Sequence, residues 1–248
     1  MEQNQDWQLG TSGMKKVMPK ISELPFQAKE AINILRGNIQ LSGYDLKTIA
    51  VTSTLAHEGK SLIAFHLAKS MASLSKKTLY LDCDIRNSNT IARYDIRQIG
   101  DGLSEFLCGS IPLSDIIYKT EDPYMDIIFT GAVAPNPSEL ISGPLFGKMM
   151  TYVREKYDYV IADTPPVAPV IDGTLIAKQC DGTIFVIESG ITQRDQAIRA
   201  KKQLEYAGIK ILGAVMNKVG AKKSGYGYGY GYGYGYGYGE KKKTQKKK

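Results

Sequence analysis

The segment Thr48–Ser61, TIAVTSTLAHEGKS, constrains the fold more than any other stretch of the chain. Its first half is apolar and β-branched, which predicts a buried strand. Its end, Thr54-x-x-x-x-Gly59-Lys60-Ser61, has the spacing of a P-loop. In such a loop the backbone N–H groups and the N-terminus of the following helix cradle phosphates. Gly59 lets the backbone come close, Lys60 reaches the β- and γ-phosphates, and the Ser61 hydroxyl ligates Mg²⁺. Gly-Lys-Ser alone is a weak signal. The strand before it and the helical periodicity of KSLIAFHLAKSMASL after it make it specific. Thr54 stands where the general pattern has Gly, and Ala56-His57 make the loop bulky. His57 reads as a loop residue, not a catalyst. The expected nucleotide-binding set is Thr54, Leu55, Ala56, His57, Glu58, Gly59, Lys60 and Ser61.

Two further strands end in carboxylates. KKTLYLDCD (Lys76–Asp84) ends in Asp82 and Asp84, which alternation puts on the same side. YDYVIADTPP (Tyr157–Pro166) is apolar until Asp163. In an open α/β sheet, ligands bind outside the carboxyl ends of the strands. Both acidic ends therefore lie near the phosphates, the first on condition that its strand neighbours the P-loop strand. An acid ending a strand downstream of a P-loop is the Walker B arrangement, which holds Mg²⁺ through water.

Helical periodicity predicts helices at Leu24–Leu41, with an apolar stripe of Ala28, Ala31, Ile32, Leu35 and Ile39, and at Gly143–Tyr157 and Thr192–Ala207. Gly102–Gly109 predicts a short helix. Asn136–Leu140, NPSEL, reads as a turn and helix start that Ser138 could cap. MDIIFTG, Asp181–Gly190 and Ile209–Val219 read as more strands. Strands alternating with helices mean an α/β, doubly wound, mostly parallel sheet. Cys83, Cys108 and Cys180 have no paired or metal-ligand spacing and read as small buried hydrophobes in a reducing compartment. The sequence shows no signal peptide and no apolar run near 18 residues, so a chain that is neither secreted nor membrane-spanning is expected.

The net charge of +7 belongs to one end. From Ala221 onward there are eight Lys and one Glu, while residues 1–220 hold 24 basic and 24 acidic side chains. A basic nucleic-acid-binding face is therefore not indicated, and a tail that clings to acidic surfaces is. Gly225–Gly239 is a strict Gly-Tyr alternation carrying Tyr226, Tyr228, Tyr230, Tyr232, Tyr234, Tyr236 and Tyr238, seven of the 16 tyrosines. Half glycine and free of aliphatic residues, it cannot repay its ordering entropy with a core. The expected organisation is an N-terminal arm at 1–23, a P-loop domain at 24–220 and a disordered tail at 221–248.

Together TSTLAHEGKS, LYLDCDIR, GLSEFLCG, NPSELISG, YDYVIADTPPV, GAVMNK and the terminal tyrosines resemble the bacterial tyrosine kinases of the capsule and exopolysaccharide type, the CpsD/CapB-like proteins, from about Leu24 to the C-terminus. That resemblance implies a fold similar to the MinD/ParA ATPases. Leu55 stands where those ATPases carry a signature lysine, which favours the kinase branch. The implied activity is ATP- and Mg²⁺-dependent protein-tyrosine kinase, autophosphorylating in trans on Tyr226–Tyr238 and regulating polysaccharide synthesis and export. Lys60 and Ser61 are then Walker A. Asp82 and Asp84 are the additional acidic motif, with Asp82 as base or orienter for the tyrosine proton. Asp84 and Asp163, with Ser61, hold Mg²⁺, and Asn217 contacts adenine.

The resemblance also implies a transmembrane adaptor of the polysaccharide co-polymerase type, self-assembly into a ring, a cognate tyrosine phosphatase, and a place at the inner face of the plasma membrane through the adaptor. The family's ring motif, Glu-x-x-Arg-x-x-Arg, is here Glu30, Asn33 and Arg36. Losing the middle arginine removes a bidentate donor and weakens the expected ring. Two other classes of function share parts of this pattern: a MinD-type ATPase switch, which needs no tyrosine tail, and a degenerate nucleotide-switch binding module.

Overall fold

The structure, a computed structural model, describes residues 15–43, 45–97 and 99–220. The Gly-Tyr segment with Tyr226–Tyr238, the lysine-rich end and residues 1–14 lie outside the described residues. Seven strands form one sheet: β1 (Thr48–Ser53), β2 (Thr78–Asp82), β3 (Tyr118–Lys119), β4 (Met125–Ile128), β5 (Tyr159–Asp163), β6 (Gly182–Glu188) and β7 (Ile211–Asn217). Their spatial order is β3-β4-β2-β5-β1-β6-β7. All neighbours are parallel except β3 against β4.

The central strands are buried on both faces, and the pleat sorts their side chains. Ile49, Val51, Tyr80, Ile161, Ile184 and Val186 share a core with α2 (Lys60–Ala72) and the inner side of α1 (Phe26–Leu41). Leu79, Leu81, Val160 and Ala162 face the opposite layer, which includes α4 (Leu103–Leu107), α5 (Pro137–Ser142), α6 (Pro144–Lys156) and α7 (Asp172–Ala177). Ala50 and Phe185 meet α8 (Arg194–Tyr206) through Ala200 and Leu204. The short α3 (Thr90–Arg93) follows the β2 end and leads into Tyr94, whose ring stacks on Phe65 of α2 with centroids 3.9 Å apart.

Several expectations are adjusted. β2 does not neighbour β1; β5 lies between them. The carboxylates still gather, because Asp82 and Asp163 are register partners and Val51 of β1 is also opposite Asp163. Ala31 is exposed, while Ile32, Leu35 and Ile39 pack inward. Ser138 is not a cap: α5 starts after Asn136 with Pro137 in its first turn and no side-chain cap bond. Of the cysteines only Cys83 is fully buried, and Cys108 is exposed. Residues 15–20, from the segment expected to be an arm, run along the sheet edge: Val17 is buried, Val17 N–H donates to Lys119 O at 2.8 Å, and Lys20 N–H donates to Tyr94 O at 2.8 Å. No helix of the described residues is long and apolar enough to cross a membrane.

Candidate active site

The loop between β1 and α2 turns on two left-handed residues, His57 (φ 67°) and Gly59 (φ 96°). A Cβ at Gly59 would stand 2.0 Å from Asn217 Nδ2, so φ and space both require glycine there. Asn217 Nδ2 donates to Glu58 O at 2.9 Å, and Lys218 Nζ donates to His57 O at 2.8 Å. The end of β7 therefore buttresses the loop. Glu58 is buried, and its carboxylate is engaged within the fold: it accepts from Leu55 N–H at 2.9 Å and from the Thr192 hydroxyl. Its side chain braces the loop, and only its backbone adjoins the cradle. α2 then starts at Lys60 without a side-chain cap, which leaves its first N–H groups facing the loop's concave side.

Lys60 is nearly buried and pairs with Asp84, Nζ to Oδ2 2.9 Å. Burial opposes its charge, but Asp163, Asp84 and Asp82 outweigh it and raise its pKa. Asp84 sits in the turn after β2. Its N–H donates to Asp82 Oδ1 at 3.2 Å, and Ser88 donates to the other Asp82 oxygen. Burial pushes Asp82 up, against those hydrogen bonds. Burial also pushes Asp163 up to about 7, against the pull of Lys60. Tyr80 donates its hydroxyl to Asp163 Oδ2 at 3.1 Å.

Two buried oxygens here, Thr54 Oγ1 and Asp163 Oδ1, have no hydrogen-bond partner among the described residues. The Ser61 hydroxyl lies near enough to Asp163 to favour its ionised form. An unspent carboxylate oxygen beside a hydroxyl, at the mouth of a phosphate cradle, suits a hydrated Mg²⁺, which keeps several waters and takes one or two protein groups. The residues present therefore fit Mg²⁺ with a nucleotide.

A cleft of about 440 Å³ opens over this cluster. Ala56, His57, Gly59, Lys60, Ser61 and Asn217 line it, as does Asp84. Thr54, Leu55, Glu58, Asp82 and Asp163 are not part of its lining; Asp82 and Asp163 form the buried floor behind Asp84. Glu30, Asn33 and Arg36 lie apart from it on α1. Asn33 donates to Glu30 at 3.0 Å, and Arg36 donates to Ser70 of α2, 2.9 Å to its carbonyl and 2.8 Å to its hydroxyl.

Some cleft residues were not expected. Lys218 and Arg93 line it, and so do Arg86, Pro165, Pro166, Pro169 and Val170. Arg86 stands two residues past Asp84, a signal visible in LDCDIR. Its buried partner Asp172 is 86 positions away and carries no local signal.

The AAA domain family matches residues 46–191, more than half of the chain. Over 200 residues the chain is 38% identical to the tyrosine-protein kinase CpsD of Streptococcus agalactiae serotype III (strain NEM316), covering 81% of this chain and 86% of that protein. The chain belongs to the bacterial tyrosine-protein kinases of the CpsD/CapB type. The kinase's fold is similar to that of the kinase domain of Escherichia coli tyrosine kinase ETK, with TM-score 0.75 and 28% identity, covering 85% of this chain and 86% of that one. It is also similar to the chimerical protein CapA2B2, with TM-score 0.71 and 32% identity, covering 75% of this chain and 83% of that one. The septum site-determining protein MinD of Pyrococcus horikoshii OT3, solved with Mg-ADP, has TM-score 0.62 at 22% identity over 71% of this chain and 72% of that one, and shows the shared fold alone. The fold of this tyrosine kinase is thus the MinD/ParA-like P-loop fold, whose frame is that of a nucleotide-binding protein.

Proposed function

We propose that this kinase transfers the γ-phosphoryl group of ATP, with Mg²⁺, to tyrosines of the Gly-Tyr segment of a neighbouring copy. The observation that carries the reading is one charged assembly, Lys60 paired with Asp84 above Asp82 and Asp163, in a chain that holds seven equivalent tyrosines. Phosphoryl transfer asks mainly for positioning and charge stabilisation around a loose transition state. Lys60, freed from Asp84 by a nucleotide, would neutralise phosphate charge, and the backbone N–H groups at 57–61 would hold the phosphates. Mg²⁺, held by Ser61 and, through water, by Asp84 and Asp163, would neutralise charge on the transferring group. Asn217, beside the loop, would meet the adenine. Asp82, expected as base or orienter for the tyrosine proton, is given a different part: buried behind Asp84, it accepts the Asp84 N–H at 3.2 Å and so sets the turn that aims Asp84 into the cleft. Asp84 is then the carboxylate nearest an incoming phenol and would take its proton late. The phenol's ordinary pKa near 10 makes this a modest demand.

The wider reading follows the family. We read residues 1–23 as an arm that docks on the sheet edge through residues 15–20, 24–220 as the kinase domain and 221–248 as its substrate tail. The kinase would regulate capsular or exopolysaccharide synthesis and export. It would work at the inner face of the plasma membrane with a transmembrane adaptor, in a ring through Glu30, Asn33 and Arg36, and opposed by a tyrosine phosphatase. Each phosphotyrosine adds about −1.5 to −2 charges. Roughly four would cancel the tail's +7 and turn a segment that adheres to acidic surfaces into one that is repelled. An oligomer size that ignores both salt and phosphorylation state would count against that switch.

Phosphopeptide mass spectrometry after Mg-ATP, with and without an adaptor fragment, tests the core reading. Phosphate on Tyr226–Tyr238 in the wild type and none in Lys60→Met is expected. For the trans route, inactive Lys60→Met chain is mixed with active chain whose tail tyrosines are Phe. Absence of label on the inactive chain sinks the trans route. ATP hydrolysis with no phosphotyrosine under any condition would favour a MinD-type switch.

A further inference from the structure

Contacts order the cleft from one end to the other. Asn217 and Lys218 meet the loop at Glu58 and His57. Lys60 meets Asp84 in the middle. Two residues further, Arg86 leaves the same turn and is caught by Asp172 at the start of α7. With adenine beside Asn217, as proposed above, the Arg86 end is on the acceptor side of the phosphates, and its chemistry differs. Pro165, Pro166, Pro169 and Val170 give it an apolar wall, and Arg86 supplies a cation.

That cation is held with unusual care for a residue so exposed. Asp172 is fully buried. It accepts Arg86 Nε–H on one oxygen; Arg86 Nη2 reaches the other at 3.4 Å and the Ser138 hydroxyl oxygen at 3.0 Å. Ser138 in turn donates its hydroxyl to Asp172. This is the role that Ser138 takes in place of a helix cap. Three elements, the turn after β2, the start of α5 and the start of α7, are thus tied at one guanidinium. Its Nη1 makes no hydrogen bond among the described residues and remains available to a ligand.

We propose that Arg86, held by Asp172 and Ser138, forms with the Pro165–Val170 wall the subsite for the acceptor tyrosine, supplied by the Gly-Tyr segment of a second copy. The inference rests on the kinase reading above. A phenol wants an apolar surface for its ring and a polar partner at its tip, and the wall and guanidinium offer both. The glycines on either side of each tyrosine add no side chain that the wall must avoid. In the transfer, the phenol oxygen bonds to the γ-phosphorus as the bond to the β–γ bridging oxygen breaks. ADP leaves with that electron pair, and the phenol proton passes to Asp84. Arg86 touches the transferring group or the new phosphate ester; Asp172 and Ser138 are positioning residues.

The test uses full-length enzyme with its seven tail tyrosines changed to Phe, and full-length Lys60→Met as acceptor. Acceptor kinetics, affinity for a fluorescent ATP analogue with Mg²⁺, and melting temperature are measured for Arg86→Lys, Asp172→Asn, their double variant and Val170→Ser. Arg86→Lys and Asp172→Asn should each lower acceptor kcat/KM by about 10-fold or more, with nucleotide affinity within about twofold. The double variant should be no worse than the worse single one, since both break the same link. Val170→Ser should raise acceptor KM by about 3-fold or more and spare kcat. Normal acceptor kinetics in the variants, equal loss of nucleotide affinity, or multiplying losses in the double variant would overturn the subsite. Should Asp172→Asn fail to fold, Arg86→Lys and Val170→Ser still decide. An unaltered enzyme that binds Mg-ATP and labels no acceptor, with or without an adaptor fragment, would sink the kinase reading itself.

Discussion

Asp163 and Asp181 sit at opposite ends of the strands that flank β1. Asp181 precedes β6 and accepts from Lys47 N–H at 3.0 Å, Thr48 N–H at 2.8 Å, the Thr48 hydroxyl at 2.9 Å and Arg154 Nη2 at 2.9 Å. Burial would raise its pKa, but those donors outweigh it and hold the carboxyl below the usual range. Asp163 ends β5, fully buried, with one oxygen unpartnered and its pKa pushed up to about 7, chiefly by burial. The same side chain is thus satisfied at the amino end of the sheet and left wanting at the carboxyl end. The first state holds strands together; the second leaves a carboxylate oxygen free for a ligand. The largest effect expected from this contrast is on activity. Asp163→Asn should cut phosphotransfer by at least about 100-fold while leaving the melting temperature at pH 7.5 unchanged or higher, because it relieves a crowded set of carboxylates. A destabilised Asp163→Asn protein would break the comparison.

The converse substitution should read out in stability. Asp181→Ala removes charge-assisted hydrogen bonds and leaves backbone donors at the β1 entry without them. A cost of about 2–3 kcal/mol is expected, or roughly 5–10 °C in Tm for a domain of this size. Transfer rate per folded molecule should not move. Thermal melts paired with active-site-normalised rates separate the two aspartates cleanly.

The Asp163 half of this contrast could be read from the chain, whereas Asp181 showed only as the start of a strand. Asp82 and Asp163 announce themselves because each ends an apolar run, and a run's end is a local property. What joins them is not local. The order β2-β5-β1, which brings Asp82 and Asp163 into register, is set by crossovers that no window of sequence contains. Glu58 shows a second limit: its position in the loop motif suggested a nucleotide contact, which is left to its backbone, because motif spacing is silent on where a side chain points, and this one points to Leu55 N–H and Thr192. Arg86 and Asp172 lie 86 positions apart, and Ser138 meets them from a third element, so their cluster exists only in three dimensions. β3 spans two residues, too few for any periodicity to show. The resemblance to a kinase family supplied roles the residues alone left open, and sequence relatives bear out the family.

A smaller effect is expected at the loop on the Asp163 side of the sheet. His57 is left-handed at φ 67°, a conformation that costs an L-residue about 1 kcal/mol or more. The Lys218 bond to its carbonyl helps to hold it there. His57→Gly removes the steric strain but frees the unfolded chain, which offsets part of the gain. A rise in Tm of no more than about 2–4 °C is expected, with nucleotide still bound. A loss of nucleotide affinity beyond about 10-fold would instead make the imidazole a ligand contact in its own right.

The smallest effect concerns a titratable group at neither end of the sheet. His66 lies on α2, 8% exposed, with its pKa pushed down to about 4 by burial, then by the Lys69 and Arg93 cations. The unfolded chain takes up this proton below about pH 6.5, whereas the folded chain resists it until about pH 4. Between those values the unfolded state binds more protons, so this group's contribution to stability is present above about pH 6.5 and is lost as the pH falls. His66→Gln should flatten that part of the stability profile, its difference from wild type growing toward pH 4.5, and should leave transfer at pH 7.5 unaltered. Asp163 has the opposite sign, since a raised carboxyl pKa favours the fold at the acid side of its titration. Comparing His66→Gln with wild type over pH 4.5–7 isolates the histidine. A difference that grows as the pH falls supports neutral burial of His66, whereas a pH-independent offset would mean that the side chain matters only through its packing on α2.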